Sequence, residues 1–98
     1  MDAEFTIRKQ YVKKHIYMMV VEQLLDDYRQ QGFEIKTQYP ISATLRADLF
    51  AVRDNERVVI ELVDGAVSAS TKQRLEGIAA DEMVEIKLID ISRVKFEK

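Results

Sequence analysis

The sequence predicts an α/β fold of order α-β-β-β-α-β, with a four-stranded mixed sheet flanked by helices. Three observations predict it. A long amphipathic segment opens the chain. Three short β-patterned segments follow, divided by turn residues. A single cappable helical segment then separates the third β pattern from a fourth, as in a βαβ crossover.

The stretch from Phe5 to Gln31 contains no Gly or Pro and is rich in helix formers. At about 100° per residue, Tyr17, Val20, Val21, Leu24, Leu25 and Tyr28 fall on one side. Lys9, His15, Glu22, Gln23 and Asp26 fall mostly on the other, so the helix lies on a core. Gly32 supplies a left-handed C-cap. Phe33, Ile35, Thr37 and Tyr39 then alternate with Glu34, Lys36 and Gln38, which predicts a half-buried strand ended by Pro40. Leu45 to Arg53 and Arg57 to Val63 read as the next two strands, with Asp54-Asn55-Glu56 as the turn. The third strand is apolar almost throughout, the pattern of a central strand covered on both faces. Asp64-Gly65 breaks it. Ser68 or Ser70 can cap a second helix that runs to about Asp81, and Ser70 with Gln73 has the spacing of a capping box. Leu75, Ile78 and Ala79 give this helix an inward face, and Val84 to Ile91 is the fourth strand. A βαβ unit of this kind predicts that the two strands are parallel and the crossover right-handed.

Composition narrows the function. The chain has 98 residues, about one domain's worth, and 1–98 is read as a single domain. It is 47% apolar, which excludes disorder as the default. It has no cysteine, so no disulfide or thiolate metal site is available, and one histidine excludes a multi-histidine centre within one chain. Fifteen basic residues against 17 acidic ones give a net charge of −2, so any contact with nucleic acid must come from a local patch. No apolar run approaches the roughly 20 residues of a membrane span, and the N-terminus lacks the pattern of a signal peptide. A soluble, cytoplasmic protein with no membrane contact is expected.

Two carboxylates stand inside strand patterns that disfavour them, Asp48 in Leu-Arg-Ala-Asp-Leu-Phe-Ala-Val and Glu61 in Val-Val-Ile-Glu-Leu-Val. A carboxylate there must be paired, hydrogen-bonded or bound to metal. If the hairpin turns at Asn55-Glu56, Arg53 faces Val58, Phe50 faces Glu61 and Asp48 faces Val63. The two acids are then diagonal neighbours on one face, about 7–8 Å apart at Cα, and able to share one Mg²⁺. A three-residue loop would place them on opposite faces. The plainer expectation is a buried ion pair with Arg46 or Lys72.

A carboxylate in the second strand, a hairpin, and Glu61-Leu62-Val63 in the third resemble the signature of the PD-(D/E)XK nuclease superfamily, whose core is α-β-β-β-α-β and restriction-endonuclease-like. Ala47-Asp48 resembles the Pro-Asp element, and Glu61-Leu62-Val63 the (Asp/Glu)-x-Lys element. The resemblance spans nearly the whole chain. It implies Asp48 and Glu61 as ligands of a divalent metal that polarises the scissile phosphate and activates a water. Val63 departs from it by standing in the lysine position. Lys72, Gln73 and Arg46 are the candidates to replace that lysine.

Other residues carry weaker signals. Glu22 and His15 lie on the polar side of the first helix and read as solvated. Met18 and Met19 flank its apolar stripe as core filler, with room for a partner helix. Arg8, Lys9, Lys13 and Lys14, offset by Asp2 and Glu4, read as a solvated helix start that could also meet phosphates. Lys72 and Arg74 at the start of the second helix fit an anion, and Arg93, Lys95 and Lys98 a trailing tail.

Two functional classes follow. One is a degenerate or accessory nuclease-like subunit, non-catalytic or dependent on a partner, acting with nucleic acid as a homodimer or with a larger protein. The other is an active Mg²⁺-dependent endonuclease. Val63 and the acidic balance favour the first. A small protein-interaction domain of other ancestry is the third reading.

Overall fold

A computed structural model of the chain describes residues 3–97. Its elements are α1 (Lys9–Gln30), β1 (Glu34–Pro40), β2 (Arg46–Arg53), β3 (Glu56–Val63), α2 (Ala69–Glu82) and β4 (Glu85–Asp90), followed by a short 3-10 turn over Ile91–Arg93. The strands lie in the order β1-β2-β3-β4. The first three pair antiparallel, and β4 runs parallel to β3. The expected order and mixed sheet are therefore found. Asp2 and Lys98, named above with the basic clusters, lie outside the described residues.

Local chemistry sets the element ends. α1 begins at Lys9 rather than Phe5. No side chain caps it, and its first turns carry Lys9 and Lys13, whose charges oppose the helix dipole. Phe5 and Ile7 stay exposed, so no burial draws them into a helix. At the other end Gly32 takes φ +88°, and Phe33 N–H donates back to Tyr28 O at 3.0 Å, as a left-handed cap requires. In α2 the cap is Ser68, whose hydroxyl accepts from Thr71 N–H at 3.2 Å. Ser70 and Gln73 thus do not form the expected box, because the helix starts one residue after Ser68. β4 closes at Asp90 rather than Ile91, since Asp90 Oδ1 accepts from Ser92 N–H at 2.9 Å and turns the chain.

Two apolar layers sandwich the sheet. On one face Phe33, Ile35, Leu49, Ala51, Val58 and Ile60 are covered by Val21, Leu24, Leu25 and Tyr28 of α1. On the other, Ala47, Phe50, Val59 and Val84 are covered in part by Ala79 of α2. Val58, Val59 and Ile60 are buried in sequence, so β3 is covered on both faces as its composition predicts.

The strict alternation expected for β1 fails at one place. Ile35 faces α1, but Tyr39 packs with Phe50 on the opposite layer, although the two are an even number of residues apart. The same reversal occurs in β2, where Ala47 shares the layer of Phe50 and Leu49 does not. The register passes from Thr37↔Leu49 to Tyr39↔Ala47, with Gln38 and Asp48 between. Gln38 has φ 50°, a left-handed value that reorients its strand.

Ile60, fully buried at the centre of β3, anchors the layer under α1. Denaturant unfolding of Ile60→Ala should show a loss of about 2–5 kcal/mol. Met18→Ala, on the exposed side of α1, should stay within about 0.5 kcal/mol of the wild type.

Candidate functional site

The β2–β3 hairpin turns on two residues, Asp54 and Asn55, with Asp54 at φ 51°. Arg53 therefore faces Glu56, not Val58, and Phe50 faces Val59, not Glu61. The corrected register, continued past Leu49↔Ile60, sets Asp48 across from Glu61 rather than Val63. The acids are direct neighbours, closer than the diagonal arrangement expected from sequence.

Carboxylates take over the backbone amides at this point. Asp48 N–H donates to Glu61 Oε1 at 3.3 Å, and Leu62 N–H donates to Asp48 Oδ2 at 2.8 Å. The other oxygen, Asp48 Oδ1, accepts from Tyr17 O–H at 3.2 Å and from Gln38 Nε2 at 3.3 Å. Gln38 Nε2 also lies 3.5 Å from the Tyr17 hydroxyl. The reoriented Gln38 carbonyl is held by Arg46 Nη1 at 2.7 Å. The reversal in β1 and β2 thus brings Gln38 and Asp48 together beneath Tyr17 of α1.

Electrostatics follow from this packing. Burial, then the adjacent Asp48 charge, pushes Glu61 up to about 7. The cation that partly offsets this is Arg74 of α2. Burial and then Asp48 also raise the Tyr17 phenol, which keeps it a donor. Glu61 therefore exchanges its proton near neutral pH, well above the ordinary glutamate range.

The other candidates are placed as follows. Among the described residues the ion pairs are Lys13–Asp64 and Arg53–Glu56, both at short range, so the expected ion pair of Asp48 or Glu61 with Arg46 or Lys72 is replaced by hydrogen bonds. Arg46 is taken by the Gln38 carbonyl. Lys72 is exposed and lines a shallow groove with Leu75, Glu76, Ala79, Ile86 and Leu88. Leu88 is the β4 register partner of Glu61, so the groove lies one strand beyond the acid pair. Gln73 is exposed. Arg74 donates to Thr44 O at 3.4 Å and is the α2 cation whose charge reaches Glu61. Val63 ends β3 opposite Asp90. Arg8, Lys9, Lys13 and Lys14 are exposed, and Lys13 is tied to Asp64 at 2.7 Å. Glu22 and His15 are exposed, as their helical positions predict. Among the described residues no third His, Cys, Asp or Glu joins Asp48 and Glu61 in a metal-holding group.

Tyr17 and Gln38 complete the site and were not candidates from sequence. Tyr17 sits in the apolar stripe of α1, but a half-buried tyrosine hydroxyl needs a partner, which is a usable signal. Gln38 gives no such signal, because its position depends on a backbone φ that favours glycine. Compared with known protein families, curated proteins and solved structures, the chain matches none of them.

The folded-state value of Glu61 lies above its ordinary value, so protonation favours the fold. The stabilisation is complete below about pH 4.5 and is lost as pH rises through about 7. Glu61→Gln should flatten this decline and be about 1 kcal/mol more stable than the wild type at alkaline pH, allowing for the half-exposed site. Urea unfolding of both proteins across that range is the measurement.

Proposed function

We propose that the chain is a degenerate or accessory member of the PD-(D/E)XK nuclease-like fold, restriction-endonuclease-like in core. It acts in nucleic-acid-related processes as a non-catalytic or partner-dependent subunit. The order α-β-β-β-α-β and the adjacency of Asp48 and Glu61 support the kinship. The hydrogen-bonding of Asp48 carries the non-catalytic part. Tyr17, Gln38 and Leu62 N–H aim donors at both its oxygens, where a cation would need bare lone pairs. Glu61, raised to about 7, is half protonated near neutral pH, which further weakens the pair as a cation ligand. Val63 supplies no charge or donor at the position the resemblance assigns to lysine.

The alternative is an active endonuclease with Mg²⁺ on Asp48 and Glu61, and the adjacency of the two acids favours it. A bound cation would supply Lewis-acid activation of the phosphate and an acidic water. The donors around Asp48 do not fit that cation. Exposed Phe5, Ile7, Tyr11, Val12 and Met18 offer apolar surface for a second copy or a larger protein partner. Among the described residues no helix is long and apolar enough to cross a membrane.

Calorimetric titration with Mn²⁺ and Mg²⁺, run beside cleavage assays on single- and double-stranded substrates, tests the reading. The isolated wild-type chain should give no saturable heat that depends on Asp48, and no cleavage. Saturable Mn²⁺ binding that Asp48→Ala abolishes, together with metal-dependent cleavage, would establish the endonuclease instead.

A further inference from the structure

The reversal at Gln38 has an effect on the opposite face of the sheet. It turns Tyr39 away from α1 and lays its ring on Phe50, with centroids 5.0 Å apart and planes 18° from parallel. α2 covers this layer through Ala79 but leaves its β1–β2 side open. A concave site of about 200 Å³ lies there, lined by Glu34, Lys36, Tyr39, Phe50 and Val52. Phe50 is almost fully buried and backs the site, while Tyr39 is half-exposed and presents its ring.

Cations flank both rings. Lys36 Nζ is 5.4 Å from the Tyr39 centroid, and the Arg57 guanidinium is 5.5 Å from that of Phe50. Arg57 is fixed by donating to the Glu82 carbonyl at 2.7 Å. Lys36 is exposed and belongs to neither ion pair found among the described residues, so its flexible stem can swing from the ring to an anion. A planar ring, an apolar wall, a carboxylate acceptor and a mobile ammonium together suit a base that carries a phosphate. Bases within a duplex are already stacked on each other, whereas those of a single strand are free to stack on an aromatic side chain.

We propose that the open β1–β2 face is a stacking platform for a base of single-stranded nucleic acid, with Tyr39 supplying the ring and Lys36 the phosphate contact. The site deepens the nucleic-acid role proposed above and rests on it. It is separate from the acid pair, none of whose residues lines it.

Fluorescence anisotropy of labelled oligothymidylate and oligouridylate, each about 12 nucleotides long, tests this at about 50 mM salt. The wild type should bind at least one of the two and prefer it to a blunt duplex. Tyr39→Ala should weaken binding by about 5- to 100-fold. Lys36→Gln, a surface change that leaves the fold intact, should weaken it and lower the salt slope by about 1. Lys87→Gln, an exposed charge on β4, should match the wild type within about twofold. Binding unchanged in both Tyr39→Ala and Lys36→Gln, or equal affinity for the duplex, would overturn the platform and leave the nucleic-acid role standing. Failure of the wild type to bind either strand would overturn both.

Discussion

The hydrogen bonds of one carboxylate organise this protein. Asp48 sits where the β1–β2 register is interrupted at Gln38 and where the β2–β3 ladder gives way to side chains. An uncompensated carboxylate at such a half-buried position would be costly. Here Leu62 N–H, Tyr17 O–H and Gln38 Nε2 satisfy it, and Glu61 in turn satisfies the Asp48 amide. The groups come from α1, β1, β2 and β3, so one side chain ties the helix to three strands.

The interruption has consequences on both faces. Below it, Leu49 and Ile60 keep the layer that α1 covers. Above it, the exchange of sides lets Ala47 and Tyr39 join Phe50 and Val59 in the second layer. Regular alternation would leave Tyr39 over α1 and Phe50 without its stacked partner. A local irregularity in two strands thus brings Asp48 to Tyr17 of α1 and lays Tyr39 on Phe50 in the opposite layer. The left-handed φ of Gln38 is the conformational cost, and the Arg46 bond to its carbonyl is among the contacts that hold it.

Much of the fold was legible in the sequence. The apolar stripe of α1, Gly32 at its end, the continuous apolar run of β3 and the single helix before β4 each carry a local signal that agrees with the tertiary structure. Asp48 and Glu61 were legible as a pair because strands disfavour buried acids. Their register was not, because a two-residue turn at Asp54-Asn55 depends on Asp54 adopting a left-handed φ in place of glycine. The start of α1 at Lys9 is not legible, because helix propensity says nothing about whether a core reaches Phe5. Gln38 and Tyr17 were invisible as site residues, since their roles arise from a break in periodicity, and sequence reading assumes that periodicity.

The acid pair is also where the proposed kinship and the proposed function part company. Its residue types fit the proposed nuclease-like kinship, whereas its donors and the valine at position 63 fit the proposed non-catalytic or partner-dependent role. The central requirement is that Glu61 lies against Asp48 in a half-buried site that raises its carboxyl. Carbon-13 NMR of the glutamate side-chain carboxyls, followed from acid to alkaline pH in the wild-type protein, reads this directly. Glu61 should titrate with a midpoint of about 7. A midpoint at the ordinary glutamate value of about 4.3 would contradict it.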